Sequence, residues 1–280
     1  MLYDLHIHTT CSDGKYRRIE LLRRMNDLGL KYACFSDHNY LIDDINSLTT
    51  EYKKEYNENQ KVEMFLATEL DIEEYSRLHI LGYGFKNVSQ VIKMLEKYLK
   101  ENTEICRDLV NKIYNQYGIE IPFNELINYT ENGDVTKNII VQWLIDNNYA
   151  NSVYDAGMRF TSKYSPCYVE RSRLKLLEAF DLIKNNGGKI IMAHPSSMKM
   201  NNEELEKFIV QLKEKGLDGI EVYNADKTNQ EQLLFYRQLA KKYQLFETSG
   251  SDFHRESTTP AFGVNNDYSN RFIKELKRNV

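Results

Sequence analysis

The chain has 280 residues, 41 % hydrophobic and 28 % charged, which suffices for a buried core and excludes a disordered chain. A net charge of -4 and a pI near 5.9 exclude a dedicated duplex-binding protein, which needs a basic face. No segment approaches the ~20 apolar residues of a membrane span, and the first residues carry neither a basic nor an apolar leader region, so the sequence reads as cytoplasmic.

In chain order, short apolar runs predict seven strands. The first covers residues 2–8, and a stretch with Ile19, Leu22, Met25 and Leu28 on one face follows it, ending at Gly29. Strands are then expected over 32–38, 64–72 and 78–85. From 87 to 168 the pattern turns helical: Val91, Met94, Leu95 and Tyr98, then Ile105, Leu109 and Ile113, a turn near Pro122, and a second amphipathic stretch from Ile139 to Ile145 holding Trp143. This segment reads as a helical insert over the mouth of the domain formed by 1–86 and 169–280, the alternative being a lengthened ordinary helix. Strands over 189–194, 219–223 and 245–249 complete the set, with Leu205, Phe208, Ile209 and Leu212 forming a helical face between the first two. Asn201 with Glu204, and Thr228 with Glu231, have N-cap spacing. Alternation of strand and helix predicts an α/β fold: a parallel sheet covered by helices and closing into a seven-stranded (β/α)7 TIM-like barrel.

The six histidines, His6, His8, His38, His79, His194 and His254, each end a short apolar run, and Asp13, Glu69 and Asp252 lie among them. Neutral imidazole offers one nitrogen to a cation and donates from the other. Nine such groups exceed the needs of one four-coordinate zinc and suit two or three divalent ions. His6 and His8, two apart on a strand, face one side. Asp37 is read either as the outer partner of His38 or as a helix-start residue, and Glu69 has two oxygens with which to bridge two cations. His8, His38, His194 and Asp252 fall at C-terminal strand ends, whereas Glu69 and His79 sit within their runs and must point inward. Cys11, Cys34, Cys106 and Cys167 show no pairing pattern and read as reduced thiols, with Cys11 a small buried group at a loop edge.

The ordered motifs Asp4-Leu5-His6-Ile7-His8 with Ser12-Asp13-Gly14, Asp37-His38, Glu69, His79, Ala193-His194-Pro195 and Gly250-Ser251-Asp252-Phe253-His254 resemble the polymerase and histidinol phosphatase (PHP) family over nearly the whole chain. The resemblance is greatest to stand-alone members acting on nucleotides. It implies a distorted seven-stranded barrel with a first ion held by His6, His8, Glu69 and Asp252, a second by Glu69, His79 and His194, and a third by Asp13, His38 and His254. Similar members carry an Arg-x-His run where this chain has Thr136-Lys137-Asn138.

Two or three ions facing three carboxylates leave a cationic pocket suited to phosphate, and clustered cations ready water for in-line attack. Glu69, Asp252 and His254 are the expected catalytic residues, with Mn ranked ahead of Fe and Zn. Arg107 and Lys137 are candidates for a second phosphate, with Arg159 and Arg171 behind them. The expected activity is hydrolysis of nucleotide phosphate monoesters, such as 3′,5′-nucleoside bisphosphates, or of short oligonucleotides from the 5′ end. Histidinol-phosphate phosphatase is the alternative enzyme, and a metal-stabilised binding or regulatory module the alternative outside catalysis.

Overall fold

A computed structural model describes residues 1–225, 227–256 and 262–279. The elements are, in order, β1 (Leu2–Asp4), α1 (Arg18–Leu28), β2 (Tyr32–Phe35), α2 (Ile45–Tyr56), β3 (Glu63–Asp71), β4 (His79–Tyr83), α3 (Val88–Tyr117), α4 (Phe123–Leu126), α5 (Lys137–Asp146), α6 (Val153–Ala156), α7 (Leu176–Asn185), β5 (Lys189–Met192), α8 (Asn202–Lys215), β6 (Gly219–Asn224), α9 (Gln230–Lys242), β7 (Phe246–Gly250), β8 (Val264–Asn265) and α10 (Asn270–Asn279).

The strands form one eight-stranded sheet in the order β7-β6-β5-β4-β3-β2-β1-β8. Beyond β1 and β7 the chain closes it: Ile7 bridges Phe253 in parallel, His8 N donates to Phe253 O at 2.9 Å, and Asp252 N donates to His6 O at 2.8 Å. Only glycine fits this seam at Gly250, where a Cβ would meet His6 Cβ at 2.3 Å. The result, among the described residues, is a nearly closed α/β barrel of eight strands instead of the expected seven. The extra strand, two residues long, is too short to show a period of two.

The sheet is not wholly parallel, which corrects the sequence expectation. β4 runs antiparallel to both β3 and β5, and β8 antiparallel to β1. The physical reason lies in the connection: residues 72–78 are too few for a parallel crossover, which takes a dozen or more. Because β4 is reversed, its first residue, His79, pairs with Asp71, the last of β3, and so reaches the same rim as the C-terminal ends of the parallel strands.

α8 starts as its sequence predicts, with Asn201 and Glu204 exchanging capping bonds at 3.0 Å each. α9 is capped by Asn229 with Gln232, not by Thr228 with Glu231; the Thr228 hydroxyl instead accepts from Asn224 N at 3.0 Å. The helices between β4 and β5 gather an apolar core of their own around Leu109, Ile113, Leu126, Ile140, Trp143, Leu144 and Phe160. α3 joins it to the barrel, since Val91 and Leu95 pack with the barrel helices while Cys106, Leu109 and Ile113 pack in the second core. The 130–132 segment is fastened to the loop after β1: Thr10 Oγ1 and Arg18 N donate to Glu131 at 2.9 and 3.0 Å, and Asn132 Nδ2 donates to Cys11 O at 3.1 Å. All four cysteines are free and buried, and no described helix is long and apolar enough to cross a membrane.

Candidate metal centre

His6 and His8 flank the seam, with Ile7 between them turned into the core. His6 Nδ1 lies 3.0 Å from Glu221 Oε1, so its Nε2 points into the barrel mouth, 3.2 Å from Glu69 Oε2 and 3.3 Å from Asp252 Oδ1. His8 Nε2 reaches the same two oxygens at 3.1 and 3.2 Å, while its Nδ1 is 3.4 Å from Asp13 Oδ1. Asp13 is presented by the loop over 9–14, which Asp37 braces: Thr9 N, Thr9 Oγ1 and Ser12 Oγ donate to its carboxylate at 2.7, 2.8 and 2.6 Å. Asp37 therefore supports the first loop instead of capping a helix or partnering the His38 ring. A Cβ at Gly14 would strike His8 O at 2.3 Å, so the loop can turn back here only on glycine.

Glu69 is the hub. Its Oε2 faces His6, His8 and, at 3.5 Å, His38 Nδ1; its Oε1 faces His79 Nδ1 at 3.0 Å and His194 Nε2 at 2.9 Å. His254 donates from Nδ1 to Asp252 O at 2.8 Å, which leaves Nε2 facing Asp13 Oδ1 at 3.3 Å. Asp71, two residues beyond Glu69, is 3.3 Å from His38 and 3.4 Å from His79, and it binds Arg171 at 3.2 Å. Two rim residues have left-handed backbone, His194 at φ 25° and Asp252 at φ 56°. Such conformations cost roughly 1–3 kcal/mol each and persist where the surrounding contacts enforce them.

The potential ligand atoms fall into four sets, each lying within 4.8 Å: His6, His8, Glu69 and Asp252; Glu69, His79 and His194; His8, Asp13, His38 and His254; and His38, Asp71 and His79. Two ligands about 2.1 Å from a shared ion sit about 3.0–3.4 Å apart, which is the spacing seen around Glu69 and Asp252. Burial disfavours charge on His6, yet Glu221, Asp252 and Glu69 outweigh it and raise its pKa to about 10. His38 is likewise raised to about 9 against burial, by Glu69, Asp71 and Asp13. Burial resists ionisation of Glu69, Asp13 and Asp252 too, but the imidazoles around them hold all three well below the usual carboxylate range. Two fixed cations reach these carboxylates among the described residues: Lys227 Nζ bonds Asp252, and Arg171 pairs with Asp71. With the imidazoles neutral the cup is a buried excess of anionic oxygen, and His6 Nε2 and His8 Nε2 are buried without a hydrogen-bond partner. Nitrogen donors aimed beside carboxylates in this way fit divalent cations.

A cavity of about 510 Å³ opens on this cup, lined by Asp13, His38, Asp71 and His79 and also by Lys137, Arg171 and Arg173, with Arg171 paired to Asp71. Lys137 Nζ donates to Val169 O and lies 4.8 Å from the centre of the Tyr168 ring. Burial, then the neighbouring Arg171, lowers its pKa to about 8. Arg107 is elsewhere: exposed on α3, it pairs with Glu104 at 3.3 Å and covers the Phe123 ring at 4.0 Å. Arg159 is also outside the cavity lining, held by Tyr149 O at 2.6 Å and Asp155 at 3.5 Å. Cys11 is buried, its Sγ 3.9 Å from Glu131. Sequence reasoning missed Asp71, Glu221, Lys227 and Asn138, whose Nδ2 donates to Asp13 Oδ2 at 3.0 Å. Asp71 alone had a signal, because residues 69 and 71 of a strand share a face.

The family model described as PHP domain matches residues 4–156. The 5'-3' exoribonuclease Rnm of Escherichia coli is 23% identical over 260 residues, covering 91% of this chain and 86% of its own length. The 3',5'-nucleoside bisphosphate phosphatase of Chromobacterium violaceum is 21% identical over 254 residues, with 90% and 86% covered. Among solved structures, one from Bifidobacterium adolescentis, described provisionally as a metal-dependent phosphoesterase, superposes with a TM-score of 0.79 at 21% identity and covers 99% of this chain and 96% of its own.

Proposed function

This chain belongs to the PHP domain family and is a metal-dependent phosphoester hydrolase, and from that premise we propose that its substrates are phosphate esters of nucleotides, either 3′,5′-bisphosphates or short oligonucleotides. One observation carries the reading: the oxygens of Glu69 are divided among five imidazoles at 2.9–3.5 Å, two of which line a cavity that Lys137, Arg171 and Arg173 line as well. A phosphate ester with a second anionic group matches both the metal-ligand cup and these cations. The relatives named above act on RNA and on nucleoside bisphosphates, which supports a nucleotide in that cavity.

His6, His8, Glu69 and Asp252 would hold one divalent ion, Glu69, His79 and His194 a second, and Asp13, His38 and His254 a third. Manganese is our first assignment, with iron and zinc compatible with the same donors. When bound, such ions supply Lewis acidity, making water nucleophilic near neutral pH and neutralising phosphoryl oxygens. The protein's own contribution is orientation. Glu221 fixes the His6 ring, Asp252 O fixes the His254 ring, and Asp37 fixes the loop bearing Asp13. Glu69 sits between the two principal sets, and Asp252 and His254 join the first to the third. Lys137 and Arg171 neutralise the second anionic group of the substrate. The helices over 87–168 act as a cap that supplies Lys137, and the segment directly after them supplies Arg171 and Arg173.

The test is phosphate release from a 3′,5′-nucleoside bisphosphate, a 5′-mononucleotide, a 5′-phosphorylated oligonucleotide and histidinol phosphate, with added manganese, iron or zinc and with chelator. Metal-dependent release from the nucleotides is expected. Release from histidinol phosphate alone, or from none of the four, overturns the proposal.

A further inference from the structure

We propose that the outer face of the helical cap, from Tyr168 at the cavity wall through Tyr164 to Tyr154, is a track for single-stranded oligonucleotide whose terminal nucleotide occupies the cavity. The inference rests on the nucleotide phosphoesterase reading above and extends it to residues far from the metal centre.

The cap has a satisfied interior, with Trp143 and Phe160 buried at 5% and 0% exposure. Beside that interior it leaves aromatic rings in water: Tyr154 is 78% exposed and Tyr164 75%. Cations are interleaved with them. Lys163 Nζ lies 5.3 Å from the Tyr164 ring centre, and Lys112 Nζ holds Tyr168 O at 2.8 Å. Between residues 149 and 173 the chain carries Arg159, Lys163, Arg171 and Arg173 against Asp155 and Glu170, although the whole chain is acidic.

The near end of the face meets the cavity. Lys163 and Tyr168 line the same space as His38 and His79, and the adjoining turn is tied back by Ser165 Oγ, which donates to Arg159 O at 2.8 Å. A ligand that meets this surface from the cavity outward must offer anionic groups to the lysine and arginine side chains and flat apolar faces to the tyrosines. Single-stranded nucleic acid alternates those two features, and every base has a face to stack irrespective of sequence. A duplex hides its base faces, and a mononucleotide ends inside the cavity. The track therefore favours length.

The experiment measures fluorescence anisotropy of the as-purified holoenzyme with 3′-labelled, 5′-phosphorylated RNA of two and of eight nucleotides, the linkages replaced by hydrolysis-resistant phosphorothioates. Wild type should bind the octamer about tenfold or more tighter than the dimer. The double variant Tyr154→Ala/Tyr164→Ala should lose that advantage while its melting temperature and its rate on a 3′,5′-nucleoside bisphosphate stay unchanged. Equal affinity for both lengths in wild type, or an undiminished octamer preference in the variant, overturns the track. So does a wild-type dimer that becomes monomeric in the variant without any RNA affinity, because the face is then an interface between copies. The two readings fail separately: loss of bisphosphate hydrolysis with a tyrosine-dependent octamer preference spares the track, and the reverse spares the chemistry.

Discussion

Glu221 Oε1 lies 3.0 Å from His6 Nδ1, and neither side chain is exposed to solvent. The contact leaves Nε2 as the nitrogen that can meet an ion, and the other Glu221 oxygen holds His194 N at 2.8 Å. One carboxylate thus orients two ligand-bearing segments. Glu221→Gln should weaken metal binding by about 10–100-fold, read by titration against a competing chelator, with turnover recovering at high metal concentration. Unchanged affinity would remove Glu221 from the support of the centre.

Replacing His8 or Asp252 by Ala should abolish phosphate release while circular dichroism retains the wild-type spectrum. Both side chains face Glu69 or its histidines at 3.1–3.3 Å, so each deletion strips a donor from the most buried ligand set. A variant with near-full rate would contradict the ligand assignment.

Lys137 and Arg107 should now behave differently. Lys137→Ala should raise KM for bisphosphates more than for monophosphates, since it lines the same cavity as His38. Arg107→Ala should leave both constants within a factor of two, because its guanidinium is engaged by Glu104 and Phe123 on the outer side of α3. Equal effects of Lys137→Ala on the two substrates would take it out of second-phosphate recognition.

The pH dependence follows from the same lysine. Its pKa is pushed down to about 8, first by burial and then by Arg171, so it is cationic below that pH and neutral above. For bisphosphates kcat/KM, which reports the free enzyme, should fall as pH rises through about 8. Lys137→Arg keeps its charge at all accessible pH values and should abolish that limb while sparing the rest of the profile.

Divalent ions should also stabilise the fold. Ligands of the folded state alone add about 2.7 kcal/mol at a hundredfold excess over Kd. Manganese should raise the melting temperature by several degrees in scanning fluorimetry, and chelator should reverse it. Asp13→Ala should reduce the increment, since it removes a donor from the set with His8, His38 and His254.

Much of the centre was legible because strand ends are legible: His8, His38, His194 and Asp252 fall at the ends of apolar runs, and the runs mark one rim. His79 looked anomalous only while all strands were taken as parallel. The five residues between the expected strands 64–72 and 78–85 already forbade that, as no helical crossover fits in them. Glu221 and Lys227 were not legible, for their roles arise from β6 and its following turn meeting the seam between β1 and β7, a contact made far apart in sequence. Arg107 could have been set aside from periodicity: Cys106, Leu109, Val110 and Ile113 mark the inner stripe of α3, and Arg107 lies about 100° from Cys106 around the helix.

The inversion of β4 also dictates how the cap is carried. Tyr83 ends at the foot of the barrel beside Ala67 and Lys189, so α3 must climb its full height before Asn102 and Cys106 appear at the mouth. Thirty residues of uninterrupted helix do this as a mast, rooted in one core and crowned by another. Such a mast transmits torsion as well as height: one residue inserted near Leu99 would swing the crown by about 100° and lift it only about 1.5 Å. Lys137 would then swing away from the cup while the ligands carried by β3, β4 and the β1–β7 seam stay in place, and the Asp13 loop, tied to the crown through Glu131, Asn132 and Asn138, would be the one ligand segment pulled with it.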